Sequence, residues 1–347
     1  MHTPIAVGIV GLGRSGRDIH GAALSLDPRY RIVAVADRAD ERTRAAAQRW
    51  GCRTYAEAAQ LFADPTVELV IIATPSSSHA TLAIAALHAG KAVLVDKPIA
   101  ATLADADRVI AAAHATGQRL AVFQNRRFDA DFLAVRAIID SGRLGTIHYI
   151  RRAHTLHCRR TDWQALTTCG GGMLNNWGVH LLDQALQLLE YRVDAMHCDA
   201  RLTVSAGDAE DQVLVTLRGA FPVSVEMFSA CAIPQPEWLV VGSYGTLVGD
   251  RERLRCRYCV SEDLAPLPLA ADIPAFADYI FPEEDIAWRE EQIELPPSPT
   301  LANDFYARLY PALCGEAPLP VTAEESRAVL ELIARCRATM QPSEVPC

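Results

Sequence analysis

The sequence has no long apolar run, no block of basic residues and no cysteine framework, and each lack excludes a class of protein. No stretch approaches the roughly 18 uninterrupted apolar residues of a membrane span. The N-terminal stretch has neither a charged n-region nor a small-residue cleavage site, so we expect a cytoplasmic protein. The 347 residues carry a net charge of −9 without basic runs beyond isolated pairs, which argues against nucleic acid or an anionic membrane as partner. A small molecule is the expected ligand.

Ten cysteines are present, but their spacing fits neither a disulfide framework nor a zinc site. Most are scattered singly in a large chain without a secretory signal, which favours free thiols. Cys256 and Cys259 form a C-x-x-C without a second pair or nearby histidines. His154, His157 and Cys158 share a predicted strand, on which the two histidines point to opposite faces. We therefore predict no metal site.

The residues that are present predict a globular protein that opens with a βαβ unit. Half of them are hydrophobic, and the chain length suits two domains. Residues 5–10 form a short buried strand, a helix-compatible run follows, and residues 31–37 form the next strand. Strand patterns recur, with helical patterns between them, at 68–74, 92–96 and 119–124. The first part of the chain is therefore predicted to be a doubly wound α/β Rossmann domain with a parallel sheet.

The turn after the first strand carries a dinucleotide-binding pattern. Gly11, Gly13 and Gly16 satisfy G-x-G-x-x-G between a strand and a helix. The first glycine allows a tight turn, the second admits a pyrophosphate to the backbone, and the third lets helix and strand approach. The helix N-terminus offers unpaired N–H groups to the phosphates. The predicted loop comprises Gly11, Leu12, Gly13, Arg14, Ser15 and Gly16.

The end of the second strand bears on the choice of dinucleotide. Asp37 stands where an acidic residue would hold the adenosine ribose hydroxyls, and its carboxylate would repel a 2′-phosphate. Arg38 follows directly and is either a solvated charge or a group that reaches a 2′-phosphate. The sequence therefore favours NAD and leaves NADP as the alternative.

Residues 170–190 read as a glycine-rich turn that runs into a largely apolar helix with one narrow polar stripe. The stripe recurs at the three- and four-residue steps that stack side chains on one helix face. It consists of Asn176, His180, Asp183, Gln184 and Gln187. Two interpretations remain open on this segment alone: the solvated side of a surface helix, or the wall of a ligand cleft.

Five segments carry a family resemblance and occur in order along nearly the whole chain. They are GLGRSG, ATPSSSHATLAIAALHAGKAVLVDKPIA, QNRRFDADFLAVRAIIDSGRLGTI, GGGMLNNWGVHLLDQAL and LPVTAEESRAVLELI. In them the sequence resembles the glucose-fructose oxidoreductase/inositol dehydrogenase/rhizopine-catabolism family, and it is similar to scyllo-inositol dehydrogenases in QNRRFDADF and HLLDQAL. The resemblance implies an NAD(P)-dependent oxidoreductase that acts on a sugar, an inositol or a related polyol.

The resemblance also implies two domains and an oligomer. A nucleotide-binding domain of residues 1–122 is expected to precede a substrate-binding α+β domain of residues 123–347, with the active site in the cleft between them. The second domain is expected to hold an open, mostly antiparallel sheet whose free face packs against another subunit, which gives a homodimer or homotetramer. Alternating polar and apolar residues agree with such strands at 146–157, 194–204, 211–219 and 222–230.

The last predicted element is an amphipathic helix over residues 321–340. Thr322 is its expected N-cap, and Glu325 stands three residues later, as in a capping box. We expect this helix to pack back on the first domain.

Three residues match the catalytic positions of the family. Lys97 ends the strand at 92–96, at the edge where open α/β sheets place ligands, and it matches the lysine of the family's E-K-P motif, with Asp96 in place of glutamate. His180 matches the histidine of the D-x-x-x-H motif, with Asn176 in place of aspartate. An amide orients an imidazole or binds a hydroxyl, but it does not stabilise an imidazolium by charge. Our hypothesis is that His180 takes the proton, Lys97 hydrogen-bonds the reacting oxygen and Asn176 positions substrate.

Further positions flank this set on the cofactor side. Thr74, Pro75 and His79 match the family's loop beside the nicotinamide, although His79 is equally well explained as a structural residue at a helix start. Asp96 and Lys97 belong to the same predicted cofactor environment.

On the substrate side, Asn125 and Arg126 follow the strand at 119–124 and are predicted to reach substrate or cofactor. Arg127 is expected to pair with a surface acid. The segment 154–166 is where we expect substrate identity to be set, with His154 and Trp163 as the favoured residues, because a sugar ring stacks well on tryptophan.

Three functions remain at this stage. The first is an NAD(P)-dependent dehydrogenase of a sugar, inositol or polyol. The second is a redox-neutral glycosidase or lyase that uses transient oxidation followed by elimination. The third is a non-catalytic sensor of dinucleotide or sugar, against which the presence of both Lys97 and His180 argues.

Overall fold

The computed structural model describes residues 3–266, 284–297 and 302–339. Its first sheet has six parallel strands in the order β3-β2-β1-β4-β5-β6. The strands are β1 (Ile5–Val10), β2 (Tyr30–Ala36), β3 (Arg53–Tyr55), β4 (Leu69–Ile72), β5 (Ala92–Asp96) and β6 (Leu120–Phe123). The predicted parallel sheet is confirmed. Of the six strands of this sheet, the sequence patterns did not predict the edge strand β3, which has 3 residues, none of them buried.

Helices cover both faces of this sheet because each strand is followed by a segment with helical periodicity. A π-helical turn, Ser15–Gly21, runs directly into the first α-helix. The α-helices are α1 (Ala22–Leu26), α2 (Asp40–Trp50), α3 (Ala58–Phe62), α4 (His79–His88) and α5 (Leu103–Thr116). Strand order reverses between β1 and β4, and open α/β sheets bind ligands in the crevice at such a reversal.

The second sheet has eight strands in the order β14-β13-β12-β11-β7-β10-β9-β8. Within the described residues of this second sheet, only the β7–β10 pair is parallel, so the predicted mostly antiparallel sheet is confirmed. The strands are β7 (Ile147–Thr155), β8 (Ala195–Arg201), β9 (Gln212–Arg218), β10 (Pro222–Phe228), β11 (Trp238–Gly242), β12 (Gly245–Gly249), β13 (Arg253–Tyr258) and β14 (Arg289–Glu294).

Helices α6 (Ala130–Asp140), α7 (Val179–Leu188) and α9 (Ala323–Thr339) share a hydrophobic core with this second sheet. Residues such as Leu182 and Trp238 are fully buried in it. On the other side of the sheet, alternate residues of β13 are exposed as far as the described residues show.

The C-terminal helices connect the two cores. Phe305 of α8 (Asn303–Cys314) lies in the core of the first sheet, whereas Ile333 of α9 lies in that of the second. The predicted capping box is confirmed, because the Glu325 N–H donates to Thr322 Oγ1 at 3.2 Å and the Thr322 N–H donates to Glu325 Oε2 at 2.9 Å. In the part of the chain that the structure describes, no helix combines the length and apolar character that a bilayer crossing needs.

Candidate active site

The glycine-rich loop has the shape that a dinucleotide requires. Gly11 has a φ of 89°, and a Cβ atom there would lie 2.7 Å from the carbonyl oxygen of Ala73. A Cβ atom on Gly16 would lie 1.9 Å from the carbonyl oxygen of Gly11, so this glycine permits the close approach of helix and turn. A Cβ atom on Gly13 would meet nothing within 4 Å. The chain therefore leaves open space at the glycine through which a pyrophosphate approaches the backbone, and the loop fits a dinucleotide.

Asp37 is fixed by backbone donors beside this loop. Its Oδ2 accepts from the N–H of Leu12 at 2.7 Å, and its Oδ1 accepts from the N–H of Ala39 at 2.8 Å. Arg42, one turn into α2, places Nη1 at 3.6 Å from Asp37 Oδ2, whereas Arg38 is exposed. Arg42 was not predicted, because a surface helix carries many arginines and nothing local distinguishes this one.

Asp96 connects the glycine-rich loop to Lys97. The Ser15 hydroxyl donates to Asp96 Oδ2, and the Lys97 N–H donates to Oδ1 at 2.7 Å. His20 Nε2 lies 3.7 Å from Oδ2, and its Nδ1 is 2.7 Å from the Tyr306 hydroxyl. Burial alone would raise the pKa of Asp96, but His20, Ser15 and the Lys97 charge hold it well below the usual carboxyl range. His20 and Tyr306 gave no sequence signal, since they are far apart in the chain.

The three predicted catalytic residues meet at the end of β5. Lys97 Nζ donates to the backbone carbonyl of Asn176 at 3.0 Å, and Asn176 Nδ2 donates to Gln164 Oε1 at 3.1 Å. His180 follows one turn later, is 7% exposed, and its Nδ1 has no hydrogen-bond partner among the described residues. The structure thus brings Lys97, Asn176 and His180 into one site.

Burial and neighbouring charges lower the pKa values of both basic side chains in this site. Burial lowers the pKa of Lys97 to about 8, the charge of Asp96 opposes this, and that of Arg126 adds to it. Burial, followed by the charges of Lys97, Arg126 and Arg251, lowers the pKa of His180 well below its ordinary value. Of the two, Lys97 is therefore the group whose protonation changes closer to neutral pH.

Trp177 is the centre of an aromatic and cationic cluster in the same helical turn. The His154 ring stacks on it with centroids 3.5 Å apart, and His180 meets it edge-on at 6.3 Å. The guanidinium carbons of Arg126 and Arg251 lie 4.5 Å and 5.1 Å from the indole centroid. Arg251 was missed because it comes from a distant hairpin turn.

Some residues of the polar stripe lie in the candidate site, and others belong to a buried network of hydrogen bonds. Arg127 donates to Asp183 Oδ2 from Nε at 3.1 Å and to Glu325 Oε2 from Nη1 at 2.7 Å. Gln184 accepts from Arg152 Nε at 2.8 Å. The interpretation of the stripe as the solvated side of a surface helix is wrong, because most of its residues are buried. The surface location expected for Arg127 is also wrong, because its partner Asp183 is a buried residue of another element. His180 lies in the site, whereas Asp183 and Gln184 hold α7 against its neighbours.

The predicted nicotinamide loop is built around a structural histidine. His79 is 1% exposed, with Nδ1 at 2.7 Å from the carbonyl oxygen of Pro98 and Nε2 at 2.8 Å from that of Thr74. It thereby ties the loop after β4, which includes Pro75, to the segment after β5. The Thr74 and Ser78 hydroxyls are 2.7 Å apart. These contacts agree with the structural explanation of His79.

Two other predicted substrate residues, Trp163 and Asn125, differ in burial. Trp163 is 52% exposed, and it is its neighbour Gln164 that contacts Asn176. Asn125 is half-buried at the start of the short 3₁₀ turn Asn125–Phe128, which also carries Arg126. The segment 154–166 therefore reaches the site through His154 and Gln164.

The cysteines within the described residues are free thiols, as predicted. Over residues 3–266, 284–297 and 302–339, no three His, Cys, Asp or Glu side chains cluster as metal ligands would.

Comparison with known proteins places the chain in a family. A family model described as "Oxidoreductase family, NAD-binding Rossmann fold" matches residues 5–124, and one described as "GFO/IDH/MocA C-terminal domain" matches residues 132–248. The Escherichia coli protein called uncharacterized oxidoreductase YdgJ is 30% identical, over 98% of this chain and 99% of its own. The chain belongs to the GFO/IDH/MocA oxidoreductase family. The resemblance seen in the sequence is thereby confirmed.

Two other known proteins match over a similar length. A Bacillus subtilis protein called scyllo-inositol 2-dehydrogenase (NADP(+)) IolW is 27% identical, over 98% of this chain and 94% of its own. The crystal structure of an NAD-binding protein from Listeria innocua superposes with a TM-score of 0.80 at 28% identity, over 96% of this chain and 95% of the other. Family membership and the glycine-rich loop together establish a nicotinamide-binding oxidoreductase fold.

Proposed function

We propose that this protein is an NAD(P)-dependent dehydrogenase that moves a hydride between a secondary alcohol of a sugar, an inositol or a related polyol and the nicotinamide. The observation that carries the proposal is the meeting of Lys97, Asn176 and His180 at the sheet edge where the glycine-rich loop also ends. The name of the Bacillus subtilis relative supports a polyol substrate.

The bound nicotinamide supplies the hydride acceptor, and the protein handles the proton and the orientation. With a pKa of about 8, Lys97 exchanges a proton near neutral pH, so we assign it proton transfer with the substrate hydroxyl. His180, held neutral by burial and by the surrounding cations, hydrogen-bonds the same hydroxyl. In this assignment Lys97 transfers the proton and His180 binds the hydroxyl, which is the opposite of the roles expected from the sequence. Asn176, whose Nδ2 is held by Gln164, presents its Oδ1 to a second hydroxyl.

We propose NAD as the preferred cofactor and NADP as the alternative. Asp37 points its carboxylate at the backbone of the glycine-rich loop, and a negative charge there repels a 2′-phosphate. Arg38 and Arg42 flank it and are the residues that would bind that phosphate. We also propose a homodimer or homotetramer whose contact is the open face of the second sheet.

The experiment is to follow formation of reduced nicotinamide by the purified protein with NAD or NADP across inositols, aldoses, deoxy sugars and uronic acids. We expect one substrate class to reduce the cofactor. Lys97→Met should then lower kcat by about 10²–10⁴-fold. Lys97→Arg should lower it similarly, because arginine keeps the charge but does not release the proton. Turnover by either variant within a few fold of the unchanged protein would contradict the assignment.

A further inference from the structure

Four cationic side chains from separate segments converge beside the candidate catalytic residues. Lys97 follows β5, Arg126 lies in the turn after β6, Arg152 is on β7, and Arg251 lies between β12 and β13. Each acts electrostatically on at least one of the others: Arg126 on Lys97, and Arg251 and Arg152 on Arg126. Such a concentration of like charge stores repulsion that an anion would relieve.

Carboxylates anchor three of these cations from outside the site. Arg126 Nη1 donates to Asp129 at 2.9 Å, while Arg152 Nη1 and Arg251 Nε share Glu237 Oε2 at 2.8 Å and 3.0 Å. Arg152 Nη2 also lies 3.7 Å from Asp131. These acids hold the guanidinium groups in place and compensate part of their charge.

The field inside the site is positive at both imidazoles. The charges that act most strongly on His154 are those of Arg251, Arg152 and Arg126, and the same three together with Lys97 act on His180. Together with burial, they lower the pKa of His154 to about 3.

Two guanidinium nitrogens of these four cations, Arg152 Nη2 and Arg251 Nη2, are buried without a hydrogen-bond partner among the described residues. Arg251 Nη2 is buried and has no hydrogen-bond partner among the described residues, although Nε of the same group is paired. A buried N–H that has given up water without gaining an acceptor is costly, and a ligand oxygen would satisfy it. The guanidinium carbon of Arg251 lies 5.1 Å from the indole centroid of Trp177. Trp177 lies between Asn176 and His180, where the short helix Leu174–Gly178 continues into α7. A ligand that reached Arg251 would therefore also lie beside the catalytic residues.

We infer that the substrate is a polyhydroxy acid whose carboxylate is bound by Arg251 and Arg126 beside Trp177, while its reacting hydroxyl lies at Lys97 and His180. This inference rests on the proposed dehydrogenase function and narrows its substrate class. A planar guanidinium matches a carboxylate by paired N–H donors. Because Asp129 and Glu237 already compensate part of the cationic charge, a singly charged group suits the site better than a phosphate.

The test compares acids with their neutral partners: D-glucuronate with D-glucose, D-galacturonate with D-galactose, and D-gluconate with D-glucitol, with D-glucose 6-phosphate as the phosphate probe. Both kcat/KM and the dissociation constant in the presence of NADH, by calorimetry, are measured. We expect at least one carboxylate to exceed its neutral partner by about tenfold, and Arg251→Gln to remove about tenfold of that advantage. Arg251→Lys should lie between. Arg253→Gln, at an exposed arginine paired with Glu294, is the matched control and should leave the ratio unchanged.

The inference is overturned if every neutral compound equals or exceeds its acid, if only the phosphate shows the advantage, or if Arg251→Gln lowers acid and neutral partner by the same factor. Failure of the proposed function is a different result, namely that no compound reduces the cofactor. In that case the calorimetric ratio of acid to neutral partner still decides whether the carboxylate site exists.

Discussion

The pKa of Lys97 provides the most direct test of the proposed chemistry, because Lys91 and Lys97 are the only lysines in the chain. We predict that the Lys97 amine titrates near pH 8 in the protein without cofactor. Lowering the pKa from 10.5 to about 8 corresponds to about 3 kcal/mol in favour of the neutral amine. Reductive ¹³C-methylation of the lysines followed by an NMR titration measures the pKa of Lys97. The lysine signal that is missing from the Lys97→Arg variant is the signal of Lys97.

Substitution of either of two charged neighbours should shift the pKa of Lys97, each in a different direction. Asp96→Asn removes the charge that favours the ammonium form, so it should lower the pKa of Lys97 further. Arg126→Gln removes a repelling cation and should raise it. Because the folded protein binds fewer protons than the unfolded chain between about pH 8 and 10.5, its stability should rise with pH through that window. Accordingly, Lys97→Met should increase the free energy of unfolding at pH 7 by up to about 3 kcal/mol.

The matching kinetic expectation is that alcohol oxidation by the unchanged protein rises with pH and levels off above about 8, the pKa of Lys97. The reasoning would be refuted by a Lys97 amine that titrates near its ordinary value of 10.5, or by an Arg126→Gln variant in which its pKa falls.

Three other expectations follow from the same contacts. Arg127→Met leaves Asp183 buried without its partner and should lower the free energy of unfolding in urea by about 3–5 kcal/mol. Arg127→Met combined with Asp183→Leu should recover most of that free energy, and equal losses in the two variants would contradict the pairing. Gly13→Ala should fold normally yet bind NADH at least tenfold more weakly in a fluorescence titration, because its Cβ meets only open space in the protein. Asp37→Ser should shift the ratio of kcat/KM towards NADP, and an unchanged ratio would oppose its cofactor role.

Much of the fold follows from local pattern. The runs that became β1, β4 and the first four residues of β5 are apolar, as expected for strands covered on both faces. The glycine turn after β1 specifies its own conformation. Strand β3 escaped prediction because three polar residues at a sheet edge carry no periodic signal.

The candidate site was only partly readable from the sequence. Family resemblance pointed to Lys97, Asn176 and His180, and the structure brings them together. Trp163 drew attention because tryptophan suits a sugar ring, yet it is half-exposed, and burial cannot be read from residue type.

Residues close together in the chain specify the parallel sheet and the glycine-rich loop, whereas the resemblance to the family indicated the second sheet and the candidate catalytic positions. The grouping of charges in the site depends on tertiary contacts. Arg126 and Arg251 are 125 positions apart in the numbering and meet at Trp177 because a hairpin of one domain folds over a turn that leaves the other. Electrostatic energy depends on distance and burial in space, and neither quantity is encoded in local sequence.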